Sequence, residues 1–416
     1  MQSMRKIFRK RAVAPTPLLV LMGIALLFAA CSDKHHKEPK EKKLDIAIDD
    51  SLRSRLASFA QGRRVQGKFA FLVYDLTANK PVYGCQETLS QPSASCLKLL
   101  CGVAGLHLLG ADYLYVTGLY QRGKVADGVL QGDLTFKGSL DPQLNEQELA
   151  RFAQAAKKRG VNRVNGKIYV DLVIHEPVKS EEHWYPWDLS FSRYGLFYKG
   201  APRVVKSLKS VMRAQGIAFA DSQVVLGAMP AGSKAVYRYG TPIHRILERM
   251  WKHSSNTQAT ALLYTIGHRV NRQADPTAAG VEYLRKFLRN DLGMTDAALV
   301  VHDGCGLCTH DHLSPKALTA ILVYGYKDKN LYRMLMQNLA IAGVDGSLAH
   351  EMTGPKTRGK IHAKTGTLSH PYGISSLAGY CRGSNGHDLA FAVMSSEMSV
   401  LDARVLQRRL CEKLVE

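Results

Sequence analysis

A mixed α/β fold is the expectation: an antiparallel sheet flanked by helices, an all-helical subdomain, and one inserted strand-rich accessory domain. Three observations carry it. Residues 46–61 read as an amphipathic helix, followed by a strand at 67–75 and a turn at 77–80. Two apolar runs, one after Ser95 and one after Ser254, have helical length and spacing. The C-terminal part closes on strands 360–367, 374–381 and 388–395, then a helix at 401–414.

The elements follow in order. Arg5, Lys6, Arg9, Lys10 and Arg11 precede an apolar run, 18–30, that ends in Phe28-Ala29-Ala30-Cys31. That is the pattern of a bacterial signal peptide over residues 1–30, and the run is short for a full membrane span of about 20 residues. Ala29-Ala30-Cys31 resembles a lipobox, with Phe28 where Leu is usual. Lipidation of Cys31 and an N-terminal membrane anchor on the periplasmic side are therefore expected. Residues 31–44 are charged and contain proline, so they read as a flexible tether.

The 416 residues give room for two or three domains, and 46% hydrophobic with 22% charged residues describes an ordinary globular core. The formal net charge is +21, five of it from the N-terminal segment. A basic mature chain suits anionic lipid head groups or an acidic envelope polymer. It carries no nucleic-acid-binding motif.

Chemistry concentrates in three short segments. Ser95-Cys96-Leu97-Lys98 places a hydroxyl and an amine three residues apart, on one helical face. Ser95 falls at the start of the helix, where the dipole favours developing negative charge. A serine is a weak nucleophile until a neighbouring base takes its proton, and a buried lysine near a second cation can be that base. Ser254-Ser255-Asn256 opens the second apolar run. Ser254 could relay a proton between Lys98 and a leaving group, and Asn256 could hold a substrate amide; the plain reading is a helix-capping cluster. Lys364-Thr365-Gly366-Thr367 lies on a strand, and Gly366 permits close backbone approach.

In this order the segments read as S-x-x-K, S-x-N and K-T-G, the elements of the penicillin-recognising serine enzymes. The chain resembles the class C low-molecular-mass penicillin-binding proteins, the D-alanyl-D-alanine carboxypeptidase/endopeptidase family. Pro186-Trp187-Asp188, Asp303-Gly304-Cys305-Gly306-Leu307 and the stretch from Ala342 to Leu348 add to the likeness, which runs from about Asp45 to the C-terminus. The resemblance implies a β-lactamase/DD-peptidase-like fold. It places the peptidase domain at 45–112 and 200–416, with the accessory domain at 113–199.

It also implies a reaction on peptidoglycan peptides. Ser95 attacks the carbonyl between two D-alanines, with Lys98 as general base. The backbone N–H groups of Ser95 and Thr367 form an oxyanion hole. Lys364, Thr365 and Thr367 bind the terminal carboxylate. Asp188 approaches the amino end of the substrate's diamino acid. β-Lactams acylate the same serine, and no cofactor is needed. The departures are Ser255 where aspartate is commoner, Cys305 where serine is usual, and a shorter insertion between the first two motifs.

Two rival functions differ in kind. A β-lactamase would need a fast deacylation base. Between Asn256 and Lys364 the only glutamates are Glu282 and Glu351, neither in a Glu-x-x-Leu-Asn setting. A catalytically silent wall-binding protein would have no reason to keep all three sets of reactive residues. Of eight cysteines, Cys31 is assigned to lipid, which leaves an odd number. Residues 301–312, with Cys305, Cys308, His310 and His312, have metal-like spacing. The resemblance gives that loop the work of shaping a cleft, so no metal is expected.

Overall fold

Strand pairing joins the two ends of the described chain. In a computed structural model, which describes residues 46–62, 66–190, 193–369 and 373–416, six strands form one antiparallel sheet. Its order is Ala340–Ile341, Ile361–Leu368, Ile374–Arg382, Asp388–Ser396, Lys68–Asp75 and Lys80–Cys85. Cys31, the expected signal peptide and the tether lie outside the described residues.

Alternation along each strand sends side chains to two different cores. Leu389, Phe391 and Val393 join Phe69, Phe71 and Val73 on one face. Helices Asp50–Gln61 and Val400–Val415 cover that face with Leu52, Leu56, Leu406, Leu410 and Leu414. Ala390, Ala392 and Met394 point the other way, into a larger core shared with the helices. With both faces covered, strands Ile374–Arg382 and Asp388–Ser396 are buried at nearly every residue.

The helical cluster holds Leu97–Leu109, Asn256–Val270, Pro276–Lys286, Pro315–Lys327 and Lys329–Asn338. Leu97–Leu109 is buried for most of its length, from Leu97 to Leu106. A helix that is apolar on every side belongs inside a protein. Trp251 fixes its height by donating from Nε1 to the Lys98 carbonyl at 2.8 Å.

A second sheet runs Val224–Leu226, Ile168–Asp171, Val129–Lys137, Leu114–Ala126, Lys234–Pro242. It is mixed. Val129–Lys137 pairs antiparallel with Leu114–Ala126 but parallel with Ile168–Asp171, which is parallel to Val224–Leu226. Parallel neighbours need crossovers, and helices Glu146–Lys158 and Ala201–Ala214 supply them. Phe152, Val204, Leu208 and Met212 pack with Leu134, Phe136 and Ile168 in a separate core. The sheet thus takes in a helix and two strands beyond residue 199, the boundary expected from the sequence.

Gly102 shows how tightly the helical core is filled. A Cβ there would lie 2.2 Å from Trp251 Cζ2 and 2.7 Å from the Met250 methyl. Alanine is ordinarily favoured over glycine in a helix by about 1 kcal/mol, while overpacking costs about 1–3 kcal/mol. Here the second effect wins. Gly102→Ala is expected to lower the unfolding free energy by about 1–2 kcal/mol in a urea titration. A more stable variant would show that Trp251 gives way.

Candidate active site

The three motifs meet where the helical cluster touches the first sheet. Ser95 lies in the 3-10 turn Ala94–Cys96, just before helix Leu97–Leu109. Two bonds dock that turn on the sheet: Cys96 Sγ donates to the Lys364 carbonyl at 3.2 Å, and Ser376 Oγ to the Ser93 carbonyl at 2.7 Å. Gly366 makes the approach possible. A Cβ at Gly366 would stand 2.8 Å from the Ser93 oxygen and 3.0 Å from the Cys96 nitrogen.

Lys98 is fully buried. Its Nζ lies 2.8 Å from Ser95 Oγ, 2.7 Å from Asn256 Oδ1 and 2.5 Å from the Cys305 carbonyl oxygen. Burial pushes the amine below the ordinary lysine range, against the opposing pull of the Cys305 thiol and the Asp303 carboxylate. Asn256 thus turns its carbonyl oxygen to Lys98, and the bond leaves its Nδ2 group out of the pairing.

Lys364 is also fully buried. It donates to Ser254 Oγ at 2.9 Å and to the Thr365 carbonyl at 2.6 Å. Burial, then repulsion from Lys98, lowers its pKa to about 7. Ser254 is thus paired with Lys364, while the relay read from the sequence joins it to Lys98. Ser254 has φ +57° and Ala94 has φ +45°, a left-handed conformation that non-glycine residues adopt at a cost of about 1–3 kcal/mol. Ser254 opens the second motif and Ala94 immediately precedes the first. Ser255, the residue that departs from the usual motif, caps helix Asn256–Val270 and accepts from the Gln258 nitrogen at 3.5 Å.

A cleft of about 250 Å³ opens over these groups. Ser95, Ser254, Thr365 and Thr367 line it, as the motifs suggested. Ser347, Glu351, Arg404 and Arg408 line it too; the sequence drew no role for the two arginines, and weighed Glu351 only as a deacylation base. Ser347 Oγ accepts from Thr365 Oγ1 at 2.7 Å, and Glu351 pairs with Arg404 at 3.1 Å. Arg404 and Arg408 are four apart on the last helix, the one signal that could have drawn attention to them.

Asp303 organises the loop below Lys98. Its carboxylate accepts from Trp184 Nε1 at 2.8 Å and from the backbone nitrogens of Cys305, Gly306 and Cys308 at 2.7, 2.5 and 3.0 Å. Burial opposes its charge, but bonds from Gly306, Trp184 and Cys308 outweigh burial and hold its pKa below the usual value. Gly306, at φ +75°, passes so near the Ala94 carbonyl that a Cβ would sit 1.9 Å from its oxygen. Cysteine at 305 leaves unchanged the backbone carbonyl that Lys98 uses.

Asp188 is held above the usual carboxylate range by burial and by the nearby Asp303 carboxylate. It lies in the short helix Pro186–Ser190 and accepts from the Tyr185 nitrogen at 3.0 Å, as a turn aspartate does. It is not among the residues lining the cleft. Among the described residues every cysteine is a free thiol.

Two buried lysines weigh on stability. In the unfolded chain Lys364 would titrate near the ordinary lysine value of about 10.4, and in the folded chain at about 7. Between those values the unfolded state binds more protons, so stability rises with pH. Below about 7 the full penalty of burying charge remains. Chemical denaturation of wild type and Lys364→Met from pH 6 to pH 10 is expected to show the wild type gaining on the variant as pH rises. A constant difference would mean that Lys364 keeps its charge throughout.

With this geometry in view, comparison with known proteins gives a consistent result. The family model for D-Ala-D-Ala carboxypeptidase 3 (S13) matches residues 52–194 and 198–413. A D-alanyl-D-alanine carboxypeptidase from Actinomadura sp. is 23% identical, over 98% of this chain and 90% of its own. The D-alanyl-D-alanine carboxypeptidase DacB of Haemophilus influenzae is 21% identical, over 82% of this chain and 87% of its own. The crystal structure of penicillin binding protein 4 from Haemophilus influenzae superposes with a TM-score of 0.72 at 19% identity, over 87% of this chain and 99% of that one. The chain belongs to the D-Ala-D-Ala carboxypeptidase 3 (S13) family, the class C low-molecular-mass penicillin-binding proteins, and is a serine-type DD-peptidase.

Proposed function

We propose that the protein cleaves the D-alanyl-D-alanine bond of peptidoglycan stem peptides through an acyl-enzyme on Ser95. The observation that carries this is the setting of the Lys98 amine. A neutral amine has two N–H bonds and one lone pair. Asn256 Oδ1 and the Cys305 carbonyl can take the two N–H bonds, which leaves the lone pair facing Ser95 Oγ at 2.8 Å. Burial favours that neutral form. Lys98 then takes the hydroxyl proton as Ser95 attacks the carbonyl carbon.

Lys364 has the complementary work. Its pKa of about 7 rises when a substrate carboxylate enters, so it binds as a cation with Thr365 and Thr367 beside it. The Ser254 hydroxyl hands its proton to the leaving amine and regains one from the Lys364 ammonium that donates to it, and the proton taken up by Lys98 restores the charge of the lysine pair. Strand Ile361–Leu368 pairs with Ala340–Ile341 only at His362 and Ala363. Past Ala363 its outer edge has no strand partner among the described residues. That edge leaves backbone groups near Thr367 for the peptide and the oxyanion; removing one oxyanion donor typically costs about 10²–10³ in turnover.

A β-lactam presents its ring carbonyl to Ser95 in the same way. Glu351, the glutamate of the cleft lining, is held by Arg404, which supports slow loss of the acyl group and disfavours a β-lactamase. We also propose that Cys31 carries lipid and tethers the enzyme to an envelope membrane. Among the described residues no helix is long and apolar enough to cross one.

Ser95→Ala is expected to give no covalent adduct with benzylpenicillin by mass spectrometry. Lys98→Ala should slow acylation by about 10²–10⁴. The kcat/KM for a D-Ala-D-Ala peptide is expected to rise with pH as Lys98 loses its proton and to fall again as Lys364 does, the two limbs reporting a coupled pair. An adduct on another residue, or a flat profile, sinks the assignment.

Metabolic labelling tests the anchor separately. Palmitate should mark the wild type and miss Cys31→Ala. One acyl chain binds membrane with a constant of only about 10⁴ M⁻¹, so stable attachment needs more than one chain. An unlabelled wild type released in soluble form would mean ordinary secretion.

A further inference from the structure

Beside the active-site loop lies a cluster that the peptidase reaction does not use. Glu181, His183, His302 and Cys308 each present a donor atom, and the four donors lie within 4.8 Å of one another. Glu181 Oε1 is 2.6 Å from His183 Nδ1 and 3.9 Å from His302 Nδ1. The His310 ring centroid stands 4.2 Å from that of His183, and the Glu182 carboxylate 3.8 Å from His183 Nε2. Cys308 is buried, while Glu181, His183 and His302 are partly open to solvent, so an ion has a way in.

We propose that Glu181, His183, His302 and Cys308 form a zinc site. The donor set selects the metal. Thiolate and imidazole suit zinc, and calcium and magnesium require oxygen ligands throughout. Four protein donors make a closed tetrahedral shell of the structural kind. Zn–N and Zn–O distances of about 2.0–2.1 Å with Zn–S of about 2.3 Å set the donors of a tetrahedron about 3.3–3.8 Å apart. The cluster needs to close by about 1 Å at its widest and to open by somewhat less between Glu181 and His183, within reach of side-chain rotation at three partly exposed residues.

The ligands come from two segments far apart in sequence, and the fold has already brought them together. Glu181 and His183 precede Trp184, whose Nε1 is bonded to Asp303. His302 precedes Asp303, and Cys308 closes the turn that the Asp303 carboxylate gathers. The Cys305 carbonyl that holds Lys98 lies between His302 and Cys308. A metal ion here would pin both ends of that turn to the Trp184 segment. The site goes beyond the peptidase reading and does not depend on it.

The test uses purified protein stripped with a chelator, dialysed, and titrated with zinc chloride against a chromophoric competitor. The expected result is one tightly held zinc per chain, with affinity reduced at least about tenfold in Cys308→Ser and in His302→Ala. His310→Ala should bind as the wild type does. Zinc at a hundredfold excess over its dissociation constant should raise the wild-type melting temperature by about 2 °C or more, and raise that of Cys308→Ser by about half as much or less. If a variant fails to fold, cobalt added to the stripped wild type decides alone, because a thiolate ligand adds a charge-transfer band in the near ultraviolet. No stoichiometric zinc, equal binding by Cys308→Ser and wild type, or a cobalt spectrum without that band each overturns the proposal.

Discussion

The amine of Lys98 is the point on which the arrangement turns. Its three neighbours come from three parts of the chain: the turn before its own helix, the start of a helix some 160 residues on, and a loop later still. Two of the three bonds, to Asn256 and to the Cys305 carbonyl, form only once the helical cluster is packed. Trp251 holds the lysine's own carbonyl, and Asp303 shapes the loop that offers the Cys305 oxygen. Around one nitrogen, helix packing, loop geometry and nucleophile orientation become a single constraint.

A second cation stands close by. Lys364 is buried in the same region, and burial followed by the charge of Lys98 disfavours its own charge. A protein seeking stability alone would not place two lysines in one core, since each buried charge carries a desolvation penalty. The arrangement makes sense as electrostatic preorganisation. One amine is made basic enough to take a proton yet neutral enough to do so, while the other waits for an anion to restore its charge. The left-handed backbone at Ala94 and Ser254 adds a further local cost at the same place.

What could be read from the sequence was what short range decides. Ser95 and Lys98 are one turn apart, so their meeting follows from helix geometry. The Lys364 strand, its two successors and the final helix announced themselves by apolar period. What escaped was set by tertiary register or by backbone atoms. No side-chain pattern reveals that the Cys305 carbonyl is a partner of Lys98, or that Asn256 turns its oxygen inward. Arg404 and Arg408 reach the cleft only because the last helix crosses the sheet at one particular height. The second sheet was underestimated at residue 199 because strand Val224–Leu226 is three residues long, too short to show a period. Asp188 was singled out by resemblance, and its bond to the Tyr185 nitrogen is one that a turn aspartate makes as well. Half of the Glu181–Cys308 cluster was visible in the loop spacing; the other half sits some 120 residues upstream.

The order of strands in the first sheet also governs when an enzyme exists at all. Lys68–Asp75 is flanked by Asp388–Ser396, so the earliest strand of the sheet waits for one of the last. Such long-range pairing is slow to close. A ribosome that has already released Ser95, Lys98, Ser254 and Asn256 has still made no nucleophile, because the surface that receives the Ala94–Cys96 turn belongs to strands not yet synthesised. Truncated or stalled chains would carry most of the reactive side chains and be inert. Assembly of the site is thereby deferred until the strands that end the chain are present, which keeps the peptidase silent during synthesis.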